Sequence, residues 1–542
     1  MRGGQFKTVK TPKVRRNKMD MRNEKRLTAD LFWLYPIMLE QCIPGDFWKI
    51  GNEMVIRMNP LVAPLMHEIN AYVHYFFVPY RLLWDDWEKW ITGGEDGKFT
   101  ADIPLASVVQ GNVVWEPGPA TNFWEPTTLY DYLFGMTYDS ANPQTRIKDA
   151  IAFPIWAYNL IWNEYYRDQN IIPEVDKKAY SQGGFPEIPM YAGLRKRAWE
   201  KDYFTSLLPW QQRGDAPALP ISGLASLQFP NLLTGATSDL GTAGTIWQWK
   251  GSGQNGGAVS AIDTSGLNAY NEALNLRAYL NSGKADLSAA STFDVSDLRL
   301  AFQIQKFLER NARSGSRYVE FLRAHFPAWP RDDRLNRPEY IGGSKTPIVI
   351  SEVLQTSSSD STTPQGNMAG HGISADRTYC GSYRVQEHGL IMGLLSFLPK
   401  AMYQQGIDRQ WLVRTKYDFY FPEFAALSEQ AVYREELYNY VPGTADTHVL
   451  GYQGRYDEYR FRRSMIHGQF RDVLDYWHMG RKFASPPELN RDLIYPNNAE
   501  IYALKRVLAV PSEPMFLVAF GNNNTAIRPM PWMAEPGLID HF

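Results

Sequence analysis

The segment Ile69–Val78, INAYVHYFFV, constrains the fold of this chain more than any other. It is apolar on both alternating faces and Pro79 ends it, which is the pattern of a strand buried on both sides. Asp46–Arg57 reads as a second strand. Towards the other end, Thr415–Phe421 alternates Thr415, Tyr417, Phe419 and Phe421 against Lys416, Asp418 and Tyr420. Glu458–Arg463 alternates Tyr459 and Phe461 against Glu458, Arg460 and Arg462, and Pro511–Phe520 reads as a last apolar strand. Strands this far apart in sequence, with helices in their connections and no internal repeat, predict a mainly β fold. The expected architecture is a Greek-key β-sandwich with large loop and helical insertions, not a βαβ repeat.

The expected helices lie between these strands. In Leu82–Thr92, Leu83, Trp84, Trp87, Trp90 and Ile91 share one face, and Asp85, Asp86, Glu88 and Lys89 the other. Ala150–Tyr166, Asp297–Arg313 and Ser316–Phe326 also read as helical. Between Pro220 and Thr292 the composition turns to Gly, Ser, Ala, Thr and Asn with sparse charge, marking a long exposed insertion. A second Ser/Thr/Gly loop is expected over Ser357–Ser374. Aromatic residues make up 14% of the 542 residues, with 17 Trp, 31 Tyr and 27 Phe, an excess suited to strands and to large protein contacts.

Charge is unevenly spread. Residues 1–26 hold ten basic side chains against two acids, leaving 46 basic and 56 acidic groups on the remainder. Lys7, Lys10, Lys13, Arg15, Arg16, Lys18, Arg22, Lys25 and Arg26 are therefore candidate nucleic-acid contacts on a basic N-terminal arm, residues 1–26. Residues 27–542 are expected to form one domain. The arm lacks periodic apolar residues, which argues against a membrane-binding helix. No apolar signal-peptide core is visible at the start, and no apolar run is long enough to span a membrane. Two cysteines, Cys42 and Cys380, exclude a disulfide scaffold.

Catalytic signatures are missing. There is no phosphate loop, no GxGxxG after a strand, no GxSxG and no HExxH. His371, Cys380 and His388 match no common zinc spacing, so no metal or cofactor is expected. Asp85, Asp86 and Glu88 read as the solvated face of a helix, not as acid–base groups. An aromatic-rich β-sandwich that binds or hydrolyses glycans is the alternative reading. A nucleic-acid-binding protein is a third.

Several blocks resemble the major capsid proteins of the microviruses, small single-stranded DNA bacteriophages, and the gokushovirus branch in particular. They are LYPIMLEQCIPGDFWKI with NPLVAPLMHEINAYVHYFFVPYRLLWDDWEKWITGG, AFQIQKFLERNARSGSRYVEFLRAHF with RPEYIGGS, and TPIVISEVLQTSS with TPQGNMAGHG. SFLPKAMYQQGIDRQWLVRTKYDFYFPEFAALSEQAVY and MIHGQFRDVLDYWHMGRKF complete the set in family order. The resemblance implies a single eight-stranded jelly roll and the simplest (T=1) icosahedral shell, one chain per asymmetric unit, around single-stranded DNA. It implies a structural virion protein and not an enzyme, assembled in the bacterial cytoplasm. Its implied partners are copies of itself, a small basic DNA-associated protein and an internal scaffolding protein. Residues 220–292 would form threefold protrusions, where Ile246, Trp247 and Trp249 are candidates for host attachment to an unidentified receptor.

Overall fold

The computed structural model describes residues 15–92, 98–106, 127, 129–135, 150–175, 194–214, 226–228, 284–286, 300–306, 308–309, 336–354, 368–439 and 448–533. The chain divides into two compact units, one of residues 1–211 with 314–542, the other of residues 212–313.

The larger unit opens with β1 (Asn17–Asp20), β2 (Asn23–Ala29), β3 (Tyr35–Cys42), β4 (Phe47–Met58) and β5 (Ile69–Pro79). Short pieces follow: α1 (Tyr80–Leu83), α2 (Trp87–Thr92), β6 (Leu105–Ala106), α3 (Leu129–Phe134), β7 (Ala150–Ile151) and α4 (Phe153–Ile161). In the smaller unit, β8 (Ser226–Gln228) pairs with β9 (Lys284–Asp286), and residues 300–306 are helical within the stretch expected as a helix over 297–313. The larger unit resumes with β10 (Glu339–Pro347), β11 (Val349–Leu354), β12 (Met368–Arg384), β13 (Gly389–Pro399), β14 (Glu429–Tyr433), β15 (Val449–Gly454), β16 (Phe516–Asn522) and β17 (Thr525–Arg528). The expected helix 316–326 lies outside the described residues.

Two antiparallel sheets dominate. One has the order β1-β17-β4-β12-β11, with β16 between β2 and β4; the other runs β10-β5-β13-β3. Alternation in β4 explains their packing: Trp48, Ile50, Met54, Ile56 and Met58 are buried while Lys49, Glu53, Val55 and Arg57 face out. The buried set meets Ile69, Ala71, Val73, Tyr75 and Phe77 of β5 in one core, and Phe397 of β13 stacks on Phe516 of β16 at 4.1 Å. Burying each such side chain contributes roughly 1.5–3 kcal/mol.

The smaller sheet is covered on its other face as well. Phe76, Val78, Leu390, Met392 and Leu394 join Trp84, Trp87, Phe153 and Trp156 in a second core. β5 and β13 therefore read as nearly continuous apolar runs, as expected for strands buried on both sides. Gly393 permits a close approach between strands, because a Cβ there would sit 2.7 Å from the Tyr75 ring. Helix α4, FPIWAYNLI, starts with a proline in its first turn and is buried almost all round, the pattern of a core helix. It continues into a π-helical turn, Trp162–Tyr166, so the helix expected over 150–166 is present with a later start.

The strands expected at 46–57 and 69–78 form within a residue of their predicted ends, and that expected at 511–520 forms from Phe516 onward. The helix expected over 82–92 is broken, because Trp84 is extended (φ −130°, ψ 119°). That break brings Trp84 and Trp87 into one cluster around Phe153, so packing overrides helix propensity. Trp90 is half-buried beside both indoles, and Ile91 is exposed.

Three expectations fail. Thr415–Phe421 is not a strand but a single 3₁₀ turn, Lys416–Asp418, in irregular chain. Glu458–Arg463 is likewise a 3₁₀ turn and loop. The loop expected over 357–374 is strand from Met368 onward; its glycines serve close packing, since a Cβ on Gly372 would lie 2.6 Å from Met58 Sδ.

Candidate assembly and nucleic-acid surfaces

Strand register places the basic N-terminal segment. Lys7, Lys10 and Lys13 lie outside the described residues, as do Ile246, Trp247 and Trp249. Arg15 and Arg16 are exposed just before β1, and Lys18 stands on β1. Arg22 occupies the β1–β2 turn, where its guanidinium holds the Asp20 carboxylate at 2.6 Å and below its ordinary pKa. Residues 17–20 and 23–29 are thus built into the larger sheet, β1 on β17 and β2 on β16.

The outer face of that sheet is basic. Lys18 is in register with Ile527, Phe47 and Arg384; Arg26 with Ala519, Val55 and Ala375; Glu24 with Gly521, Glu53 and Arg377. With Lys49 and Arg57, six cations share the face with three carboxylates, Asp20, Glu24 and Glu53. Val55, Leu517, Ile373 and Tyr379 are exposed among them. Lys25 points the other way, paired in register with buried Phe520; burial lowers its pKa while Glu40 opposes the shift. An open groove of about 850 Å³ borders this face, lined in part by Arg26, Arg57, Leu517, Tyr132 and Phe134.

A second surface was invisible as such in the sequence. It lies in the long connection between β13 and β16. Trp411 (76% exposed), Tyr417, Phe419, Tyr420, Phe421, Leu427, Tyr459 and Phe461 (63%) all stand out in solvent. Their rings touch edge-on, Tyr417 with Phe424 at 6.0 Å and Tyr420 with Tyr456 at 5.0 Å. Arg414, Lys416, Arg460 and Arg462 are exposed among them.

The backbone beneath these rings is pinned. Thr415 and Asp418 form a reciprocal capping box, and the Asp418 carboxylate accepts from the Arg414 and Thr415 amides. Tyr456 Oη donates to the Phe419 carbonyl at 3.1 Å, and Arg455 donates to that of Tyr417 at 3.2 Å. Tyr456 itself is buried with φ +64°, a left-handed conformation uncommon for a tyrosine and tolerated where packing holds it.

Buried carboxylates complete the support. Glu435 takes Arg414 at 2.8 Å, Glu436 takes Arg409 at 2.9 Å, and Asp457 takes Arg460 at 2.5 Å. Burial pushes the Glu436 carboxyl up, opposed by Arg409 and by the Tyr433 amide. Such pairs are costly to break singly, since the remaining charge is left buried. The pair Glu435–Glu436 after Arg434 is legible in sequence; what holds each charge is not.

No group of three or more His, Cys, Asp or Glu side chains gathers into a metal site among the described residues, and His371, Cys380 and His388 do not converge. Asp85 and Glu88 are exposed and Asp86 half-exposed, with Lys89 3.9 Å from Asp86. Within the described residues no helix is long and apolar enough to cross a membrane.

Comparison with known proteins adds a lineage to this geometry. The profile of a family described as Capsid protein (F protein) matches residues 7–538. Capsid protein VP1 of Chlamydia phage 1 is 34% identical, over 98% of this chain and 97% of its own length. Capsid protein VP1 of Bdellovibrio phage phiMH2K is 35% identical over 94% and 93%, and that of Spiroplasma virus 4 is 31% identical over 98% and 97%.

Proposed function

The chain belongs to the phage capsid protein (F protein) family and is a major capsid protein of the virion, and from that premise we propose how it builds and fills a shell. The relatives' names support a structural role and give the glycan reading no support.

The fold proposed is an eight-stranded jelly roll. Eight strands support it by their nesting: β2 pairs with β16, β3 with β13, β4 with β12 and β5 with β10. First pairs with last, second with second-last, and so inward, as in a long hairpin rolled into two sheets. In the larger sheet β1, β11 and β17 are additional to these eight, and the connections after β5 and β13 carry the insertions. The shell proposed is the T=1 icosahedron, with residues 220–292 exposed on its outside for host attachment. A small basic DNA-associated protein and an internal scaffolding protein are proposed as assembly partners.

The observation that carries the internal role is the charge of the N-terminal segment, which runs onto a basic sheet face. The proposed ligand is packaged single-stranded DNA, held by phosphate contacts without sequence preference. Affinity should then fall with salt by a log–log slope of about −0.7 per phosphate contact. Replacing Lys13, Arg15, Arg16 and Lys18 with Gln tests it. Normally assembled but genome-depleted particles are expected; failure of the variant to form even empty shells would make the segment a clamp between subunits instead.

A further inference from the structure

We propose that the aromatic–arginine surface formed by Trp411–Leu427 and Tyr459–Arg462 docks on a different, acidic face of a second copy of this chain. The inference rests on the capsid reading and goes beyond it by naming the contact.

Rigidity is the first argument. Loops that merely tolerate exposed rings leave their carbonyls to water. Here Arg455 and Tyr456 take the carbonyls of Tyr417 and Phe419, and Asp418 closes the turn, so the rings are presented on a fixed frame. A preorganised frame loses little entropy on association. Composition is the second argument. Trp, Tyr, Phe and Arg dominate the centres of protein contacts, and soluble monomers rarely expose so many together.

Charge selects the partner. Among the exposed residues of the surface, Arg414 and Arg460 are held from beneath by Glu435 and Asp457, which leaves Lys416 and Arg462 against one exposed carboxylate, Glu423. Two copies meeting through this same surface would bring like charges together, so a self-complementary twofold contact is disfavoured. The chain beyond residue 26 carries 56 acidic against 46 basic groups, a net negative balance that favours a different face of a neighbour over this same one. Contacts of this heterologous kind close into rings, as a shell requires. Phosphate also attracts cations, but Ala425, Ala426 and Leu427 add exposed apolar area that a phosphate backbone does not match. That combination fits protein better than nucleic acid.

Purified full-length chain carrying Trp411→Ala with Phe461→Ala tests the contact, measured by sedimentation and electron microscopy beside wild type. Expected are an unchanged circular-dichroism spectrum and melting temperature, with at least a tenfold loss of assembled species at equal concentration. Assembly equal to wild type would overturn the proposal. Lys416→Glu with Arg462→Glu identifies the occupant: loss of assembly without DNA present supports a second copy. Normal empty particles that package less DNA would assign the surface to nucleic acid and overturn it. A wild-type chain that stays monomeric at every concentration would instead remove the capsid premise itself.

Discussion

Two regions of this protein are rich in aromatic residues and meet opposite fates. The β10-β5-β13-β3 sheet with its helical cover buries Tyr75, Phe76, Phe77, Trp84, Trp87, Phe153 and Trp156. The connection between β13 and β16 leaves Trp411, Tyr417, Phe419, Tyr420, Phe421 and Phe461 in solvent. Where the backbone finds its hydrogen bonds separates them. In β5 the amides and carbonyls pair with two neighbouring strands, and each row of side chains meets another layer, the larger sheet on one face and the helical cover on the other. Around 415–421 the same groups are taken by side chains from below, which leaves the rings free to face outward. Aromatic content alone does not distinguish a core from a contact surface; backbone pairing together with a covering layer on each face does.

The comparison is broken most directly by making the same substitution on both sides. Trp87→Ala should destabilise the fold by about 3–5 kcal/mol, because Trp87 is only 8% exposed against Tyr80, Phe153 and His388. Trp411→Ala should change stability by no more than about 0.5 kcal/mol. Denaturant midpoints of the two variants decide it, and equal losses would show that the 411 region is core after all.

A titration sharpens the contrast. His74 sits within the covered sheet, its Nδ1 2.7 Å from Tyr166 Oη, and burial with the nearby Arg197 lowers its pKa to about 4. The unfolded chain takes that proton near pH 6.5, so the native state binds fewer protons below that value. Stability should therefore fall as pH drops from about 6.5 to about 4, by up to about 1.4 kcal/mol per unit. His74→Gln should make the curve shallower in that window, the remaining slope coming from buried His67, whose pKa is also lowered to about 4. A variant whose stability still tracks pH as wild type does would place the sensitivity elsewhere.

The smallest expected effect probes the frame of the exposed rings. Tyr456→Phe removes the hydrogen bond to the Phe419 carbonyl and should cost roughly 0.5–1.5 kcal/mol. Amide exchange should accelerate over residues 415–421 and stay unchanged in β5. Uniform acceleration would mean that Tyr456 supports the whole fold and not this surface.

Part of this was legible in the chain itself. Alternation in 47–58 and the two-sided apolar run in 69–79 each report a local relation, side-chain direction against burial, and both strands form where expected. The 415–421 stretch alternates just as cleanly and is no strand, because period-two patterning signals pairing only if a partner strand exists. Gly370 and Gly372 read as loop residues, yet they lie in β12 because Leu61 and Met58 press against them. No neighbour in sequence announces that approach.

Sequence by itself determined a mainly β chain, the doubly covered strand, the basic N-terminal segment and, through its colinear blocks, the capsid lineage. These depend on the order and type of residues, which local physics and descent both write directly. Tertiary structure alone decided that residues 17–29 become sheet, that Lys25 turns inward while Arg26 faces out, and that the aromatics of 411–427 stay in water. Each of those outcomes depends on which distant segment arrives opposite: β16 and β17 from the far end of the chain in the first two, Arg455 and Tyr456 in the third. Contacts across such separations are set by the closing of the whole sandwich, and no window of sequence contains them.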